Sequence, residues 1–237
     1  MDSAKIAIVI PAYNEQRLLP KTLAGMPALA AHIIVVNDAS TDDTALAVST
    51  SSDPRVELVS HAKNQGVGAA IRSGYLRARE LECDAAVVMA ADNQMKGEEV
   101  QLLVRAWREL DAGYVKGNRF IHPTAKRMPR LRRLGSGWLS WLTRKTTGLH
   151  VDDCQCGFTL LDLSVLQRIS LQDLWPRYGY PNDLLALLAN HNVAVKEVPV
   201  SAVYAEEKSG LHPGHVLSIS ALILKRWLAA KHLATQR

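Results

Sequence analysis

The chain has 237 residues, 48% apolar and 22% charged. That is enough to bury the core of one large domain and excludes a disordered, collagen-like or coiled-coil protein. Three cysteines, Cys83, Cys154 and Cys156, are odd in number and badly spaced for a disulfide framework, so a reducing compartment is expected.

The formal net charge of +5 is local. Nine cations and no acid lie between Lys116 and Lys145, and the rest of the chain carries a net −4. Such a block fits an anionic partner (phosphate, nucleic acid or lipid headgroup) or a solvated face. Met1–Lys5 is too short to begin a secretory leader, and none is expected. The apolar stretch His215–Leu224 falls well short of the roughly 20 residues that span a bilayer.

Short Val- and Ile-rich runs predict buried strands at Lys5–Ile10, His32–Asn37, Val56–Ser60, Asp84–Ala90 and Tyr114–Lys116. Helical segments alternate with them: Glu15–Gly25, Thr41–Ser51, Gly66–Leu81 and Glu98–Leu110. Ser40-Thr41-Asp42-Asp43 offers N-caps and first-turn acids to the second helix, and Asn64 precedes the third. The β-α-β alternation over residues 5–117 predicts a mainly parallel sheet with right-handed crossovers. Beyond it, helices are expected over Met128–Gly148, Asn182–Asn190 and Pro213–Leu233, and strands over Phe158–Leu163 and Val193–Val198. No linker separates the halves, which are expected to share one sheet.

Ligands of open α/β sheets bind beyond the carboxyl ends of the strands. Polar and acidic residues follow each of the first five: Pro11-Ala12-Tyr13-Asn14-Glu15, Asn37 to Asp43, Lys63 to Gly68, Ala91-Asp92-Asn93-Gln94 and Gly117-Asn118-Arg119. Ordinary turns explain any one of these, but not five at one edge. Asp92 directly follows an apolar strand and suits a hard divalent cation that shares a phosphate. Arg119 suits that phosphate, and Asp38 suits a base or ribose. Together they describe a nucleoside-diphosphate site. Gly66-x-Gly68 lacks the third glycine of a dinucleotide loop. His150, Asp152, Asp153, Cys154 and Cys156 fit no common zinc spacing.

On these motifs the chain resembles glycosyltransferase family 2, of GT-A fold. Ile8 to Glu15 is similar to that family's opening strand and loop, Val35 to Thr44 to its second signature, and Asn64-Gln65-Gly66 with Ala69 and Ala70 to its third. Gly117 to Phe120, Asp153 to Phe158 and Tyr204 to Ser209 resemble the dolichyl- and polyprenyl-phosphate sugar synthases. The resemblance implies a single α/β GT-A (Rossmann-like) domain over 1–237, with a mainly parallel mixed sheet flanked by helices. Residues 1–117 would bind the nucleotide-sugar and 118–237 the acceptor.

It also implies roles. Pro11, Tyr13 and Glu15 would hold base and ribose, and Asp38 would hydrogen-bond the base. Asp92 would bind Mg2+ or Mn2+, Gln94 would lie beside the sugar, and Arg119 and Lys208 would touch phosphates. Asp153 and Asp183 are the candidate catalytic bases, although Asp183 also reads as a helix N-terminal acid. Two positions depart from the pattern. Ala90 stands where the first acid of the metal-binding pair is expected, and Ala202 stands where a basic residue is.

The implied reaction is inverting transfer of a hexose from GDP- or UDP-hexose to a polyprenyl or lipid phosphate. The alternatives are a soluble acceptor, or a nucleotide-sugar-binding protein weakened by Ala90. Arg130, Arg132, Arg133, Trp138 and Trp141 are expected to form a lipid-facing helix surface, against core packing of the two tryptophans. No nucleic-acid partner is expected. The expected location is the cytoplasm, with association to the cytoplasmic face of a membrane.

Overall fold

The apolar runs of both halves join in one seven-stranded sheet. The structure, a computed structural model, describes residues 4–201 and 213–235. The strands are β1 (Ile6–Ala12), β2 (Ala30–Asn37), β3 (Val56–Ser60), β4 (Ala85–Val88), β5 (Tyr114–Asn118), β6 (Thr159–Asp162) and β7 (Val195–Pro199), in the order β3-β2-β1-β4-β6-β5-β7. β6 alone runs antiparallel to its neighbours β4 and β5. It therefore enters the sheet from the edge where the parallel strands end, which places the residues before it, Asp153 to Phe158, at that edge.

The helices are α1 (Leu19–Ala24), α2 (Thr44–Ser49), α3 (Val67–Glu80), α4 (Val100–Glu109), α5 (Arg130–Thr147), α6 (Tyr180–Asn190) and α7 (Pro213–Thr235). Both faces of the sheet are covered, as its continuous apolar strands require. Ile6, Ile8 and Ile10 of β1 join Ile33 and Val35 in a core with α1, α2 and α4. Ala7 and Val9 point the other way and join Ile34 and Val36 in a core with α3, α5, α6 and α7. This is the two-residue alternation of a strand buried on both sides.

Helix α3 lies directly on β1. A Cβ at Gly74 would come within 2.1 Å of Val9 Cγ1, so any larger residue would push the helix off the sheet and tilt its amino end, which forms part of the site. All three cysteines are buried free thiols.

Candidate functional site

The carboxyl ends of β1, β2 and β4 open into a cleft of about 760 Å³. One wall carries Pro11 near the end of β1, Tyr13 and Glu15 after it, Asp38 after β2, Ala90 to Asp92 after β4, and Asn64 and Gly66 before α3. The other carries Trp175, Arg177 and Tyr178, with His215 and Ser218 from the first turns of α7. Two other hollows, of about 480 and 660 Å³, lie around Ala4 at the opposite edge of the sheet and hold none of the strand-end motifs.

The first two signature loops are stitched together by side chains. Asn14 N donates to Ser40 Oγ (3.0 Å), Glu15 N to Thr44 Oγ1 (2.8 Å), Thr41 N to Asn14 Oδ1 (2.8 Å) and Asp43 N to Gln16 Oε1 (2.8 Å). Asp42 accepts from Gln16 N (3.2 Å) and Thr44 N (3.0 Å). The Ser-Thr-Asp-Asp run thus holds Tyr13 and Glu15 in place, and caps α2 through Asp42 as well.

Asp38 is buried, 3% exposed, and its carboxylate closes the start of α3. Oδ1 accepts from Gln65 N (2.8 Å) and Oδ2 from Gly66 N (2.7 Å). The cap of α3 is therefore supplied from β2 rather than by Asn64: Gly66, at φ 97°, precedes the first turn without any side-chain cap. His61 Nδ1 lies 2.7 Å from Asp38 Oδ1, and His61 Nε2 lies 2.9 Å from Ser73 Oγ. This chain orients Asp38, and only Asp38 of the three lines the cleft.

Glu15 and Asp92 are the acids that could hold a divalent cation. Burial raises the Glu15 pKa above the ordinary glutamate value, and the negative charges of Asp92 and Asp42 raise it further. A glutamate whose ionisation is opposed by a neighbouring carboxylate suits a cation that neutralises both. Asp92 Oδ1 accepts from Gln94 N at 3.0 Å, which fixes the carboxylate. At the position of the missing acid, Ala90 lines the cleft. Among the described residues no three His, Cys, Asp or Glu side chains cluster as a ready-made metal cage, so donor phosphate oxygens would have to complete a shell.

Asp153 and Asp183 do not line the cleft. Asp153 is wholly buried and forms a two-pronged pair with Arg119, Nε to Oδ2 at 2.7 Å and Nη2 to Oδ1 at 2.8 Å. Burial alone would push the Asp153 carboxyl up, but Arg119, helped by Lys116, outweighs it and holds the carboxyl below the ordinary aspartate range. Lys116 is itself fully buried, and its Nζ donates to the Cys156 carbonyl. Glu197 closes the group, accepting from Asn118 Nδ2 (2.9 Å), Asp152 N (2.9 Å) and Asp153 N (3.0 Å). Asp183, also buried, accepts from Arg226 of α7 and from Trp175 N (2.7 Å).

The basic block is consequently not one surface. Lys116 is interior, Arg119 serves Asp153, and Arg144 pairs with Asp152. Arg130 and Arg133, in the first turn of α5, are exposed, and Arg132 is partly buried. Trp138 and Trp141 are 50% and 44% exposed and stack at 5.0 Å, so they are surface rather than core residues. Lys208, the Tyr204 to Ser209 motif and Ala202 lie outside the described residues.

Sequence reasoning missed the second wall. Trp175, Arg177, Tyr178, His215 and Ser218 are distant in sequence from the strand ends. One signal was available: Gly66 and Gly68 admit no side chain, because a Cβ there would meet Pro176 O at 2.6 Å and Trp175 O at 2.2 Å. The Pro176 carbonyl also accepts from Ala69 N (3.1 Å), which fastens the second wall to α3.

Residues 7–175 match the model of glycosyl transferase family 2. The chain belongs to that family. This glycosyltransferase is 28% identical over 217 residues to a UDP-N-acetylglucosamine–dolichyl-phosphate N-acetylglucosaminyltransferase of Methanococcus voltae, covering 85% of this chain and 86% of that one. It is also 28% identical over 235 residues to an undecaprenyl-phosphate mannosyltransferase of Micrococcus luteus, covering 96% of each. The transferase's fold is similar to that of glucosyl-3-phosphoglycerate synthase from Mycobacterium tuberculosis, crystallised with Mn2+, UDP and phosphoglyceric acid. There the TM-score is 0.70 and the identity 18%, over 96% of this chain and 78% of that one.

Proposed function

We propose that this transferase moves a hexose from GDP- or UDP-hexose to a polyprenyl phosphate, with inversion at the anomeric carbon. One observation carries the acceptor class: both carboxylates expected as bases, Asp153 and Asp183, are buried against arginines away from the cleft. A hydroxyl acceptor needs a general base in reach. A phosphate is already anionic at neutral pH and needs none. The relatives named for dolichyl- and undecaprenyl-phosphate transfer support the same class.

In this reading Pro11 and Tyr13 flank the base and ribose at the end of β1. Asp38 fixes the amides of Gln65 and Gly66 beside the base and offers its remaining acceptor capacity to a base N–H. Gln94, after β4, lies beside the sugar, and Lys208 and Arg177 attract the phosphates, while Arg119 is committed to Asp153. Glu15 and Asp92 would hold the divalent cation, whose charge stabilises the departing diphosphate. An acceptor phosphate oxygen attacks the anomeric carbon while the bond from that carbon to the diphosphate breaks. The nucleoside diphosphate leaves with the electron pair. The whole chain would act as one domain at the cytoplasmic face of a membrane; among the described residues no helix is long and apolar enough to cross one.

The test is transfer from UDP- and GDP-hexoses to a polyprenyl phosphate, with phosphoglycerate and a neutral polyprenol as competing acceptors. Product on the polyprenyl phosphate alone supports the reading. Product on phosphoglycerate alone moves the acceptor to a soluble molecule, and product on the hydroxyl of either phosphoglycerate or the polyprenol overturns the argument from the missing base.

A further inference from the structure

Helices α5 and α7 each leave an apolar stripe uncovered. On α5, Leu131, Leu134, Trp138 and Trp141 are 85%, 71%, 50% and 44% exposed. On α7, Leu217, Leu224 and Leu228 are 75%, 43% and 59% exposed. Both sets recur at three-, four- or seven-residue steps, which is one face of a helix. The inner faces are already used: Leu139 and Leu142 of α5, and Ile219 and Ile223 of α7, sit in the core. The stripes lie side by side, because Trp138 Nε1 donates to Ser220 Oγ at 3.1 Å. Contiguous exposed apolar surface of this kind marks an interaction site.

We infer that the paired α5–α7 face is a docking surface for an anionic lipid bilayer, with α7 contributing as much as α5. Charge selects the occupant. Neither helix contains an acid. Exposed cations border or continue the stripes: Arg130, Arg133 and Lys145 on α5, Lys225 and Lys231 on α7. Arg130 and Arg133 also stand at the positive end of the α5 dipole, where cations are disfavoured unless an anion offsets them. A second copy of the chain would bring the same acid-free face against its own image. An anionic bilayer accepts the leucines and tryptophans at its acyl boundary and pairs its headgroups with the cations.

The face also adjoins the cleft. His215 and Ser218 line the cleft from the turn of α7 that exposes Leu217. A lipid phosphate held in a docked membrane therefore enters the cleft over the start of α7. This last step rests on the proposed lipid acceptor; the docking itself does not.

The test is co-sedimentation of the full chain with phosphatidylglycerol-containing vesicles and with pure phosphatidylcholine vesicles, at low and high salt. Wild type is expected to bind the anionic vesicles, with a partition coefficient that falls as salt rises. Leu217→Ser with Leu224→Ser and Leu228→Ser should lower that coefficient at least tenfold, leaving circular dichroism and the thermal shift with UDP or GDP unchanged. If this variant does not fold, Lys225→Glu with Lys231→Glu replaces it, with the same expectation. Wild-type binding absent at low salt, or retained in full by a folded variant, overturns the inference. So does a wild-type dimer that the variant abolishes, since the face then belongs to a second copy. Vesicle binding lost in the variant while wild type fails to glycosylate a short, soluble polyprenyl phosphate would uphold the docking face and overturn the acceptor.

Discussion

Arg226 of α7 grips Asp183 at the start of α6 through two hydrogen bonds, Nε to Oδ1 at 2.5 Å and Nη2 to Oδ2 at 2.9 Å. The same carboxylate accepts from Trp175 N. One buried acid thus ties the 175–178 segment of the second cleft wall to the middle of α7, the helix whose first turns carry His215 and Ser218. Asp183→Asn should cost about 1–2 kcal/mol, the value of a buried pair discounted because Arg226 is 39% exposed on its side chain. Urea denaturation measures the loss, and faster proteolysis within α7 should accompany it. A fall in kcat with stability and proteolysis unchanged would instead return Asp183 to the role of base.

Asp153→Asn should destabilise the protein by about 3–5 kcal/mol, because it leaves the Arg119 and Lys116 charges buried without their partner. The pair also sets an acid limit. The folded-state pKa of Asp153 lies below its ordinary 3.8, so its contribution is fully present above pH 3.8. It is lost as pH falls through the depressed value. Acid unfolding of the wild type should show this loss, and the Asn variant should lack it.

Asp92→Ala should abolish metal-dependent nucleotide binding while the melting temperature without nucleotide stays within a few degrees of wild type. Glu15 gives this site a pH signature. Its carboxyl titrates above the ordinary 4.5, so protons compete with Mn2+ from a higher pH than for a free glutamate. Calorimetric Mn2+ affinity in the presence of UDP should fall as pH drops from 7 to 5, and Glu15→Gln should weaken it at pH 7 and flatten the dependence. Wild-type affinity in Asp92→Ala would remove the metal from these acids.

Asp38→Ala should weaken nucleotide binding by about 1–3 kcal/mol, as expected when a charged hydrogen-bond partner is removed from a buried site. The structure adds a stability loss of similar size, because the Gln65 and Gly66 amides lose their acceptor. Calorimetry and denaturant melts separate the two. His61→Ala should reproduce a fraction of both effects, since it only orients the carboxylate.

Arg177 lines the cleft, and its side chain makes no hydrogen bond or ion pair with another described residue. Arg177→Ala should raise the Michaelis constant for the nucleotide-sugar about tenfold, roughly 1.4 kcal/mol, with the melting temperature unchanged. Equal donor kinetics in the variant would take Arg177 out of the donor site.

Asp38 and Asp92 were legible because each follows an apolar run by two residues at most, so reading the strands pointed to the edge where the cleft opens. β3 was legible to the residue, and the other strands to within a few. The reversed direction of β6 was not, since four residues, Thr159–Asp162, look the same run either way; it is what brings Asp153 to Arg119 at the ligand edge. The nine-cation block was misleading for a related reason. Sequence counts charges but not partners, and the acids that take Arg119 and Arg144 are Asp153 and Asp152.

By itself the sequence determined the alternation of strands and helices, the placement of Tyr13, Glu15, Asp38 and Asp92 at one edge, and membership in a transferase family. These depend on local periodicity and on residues near one another along the chain. Only the tertiary structure decided what each carboxylate is for. Glu15 and Asp92 share one wall of an open cleft, Asp38 caps a helix, and Asp153 and Asp183 are buried and paired with arginines. An acid's chemistry follows from its burial and its neighbouring charges, and those are set by segments that meet only when the sheet closes.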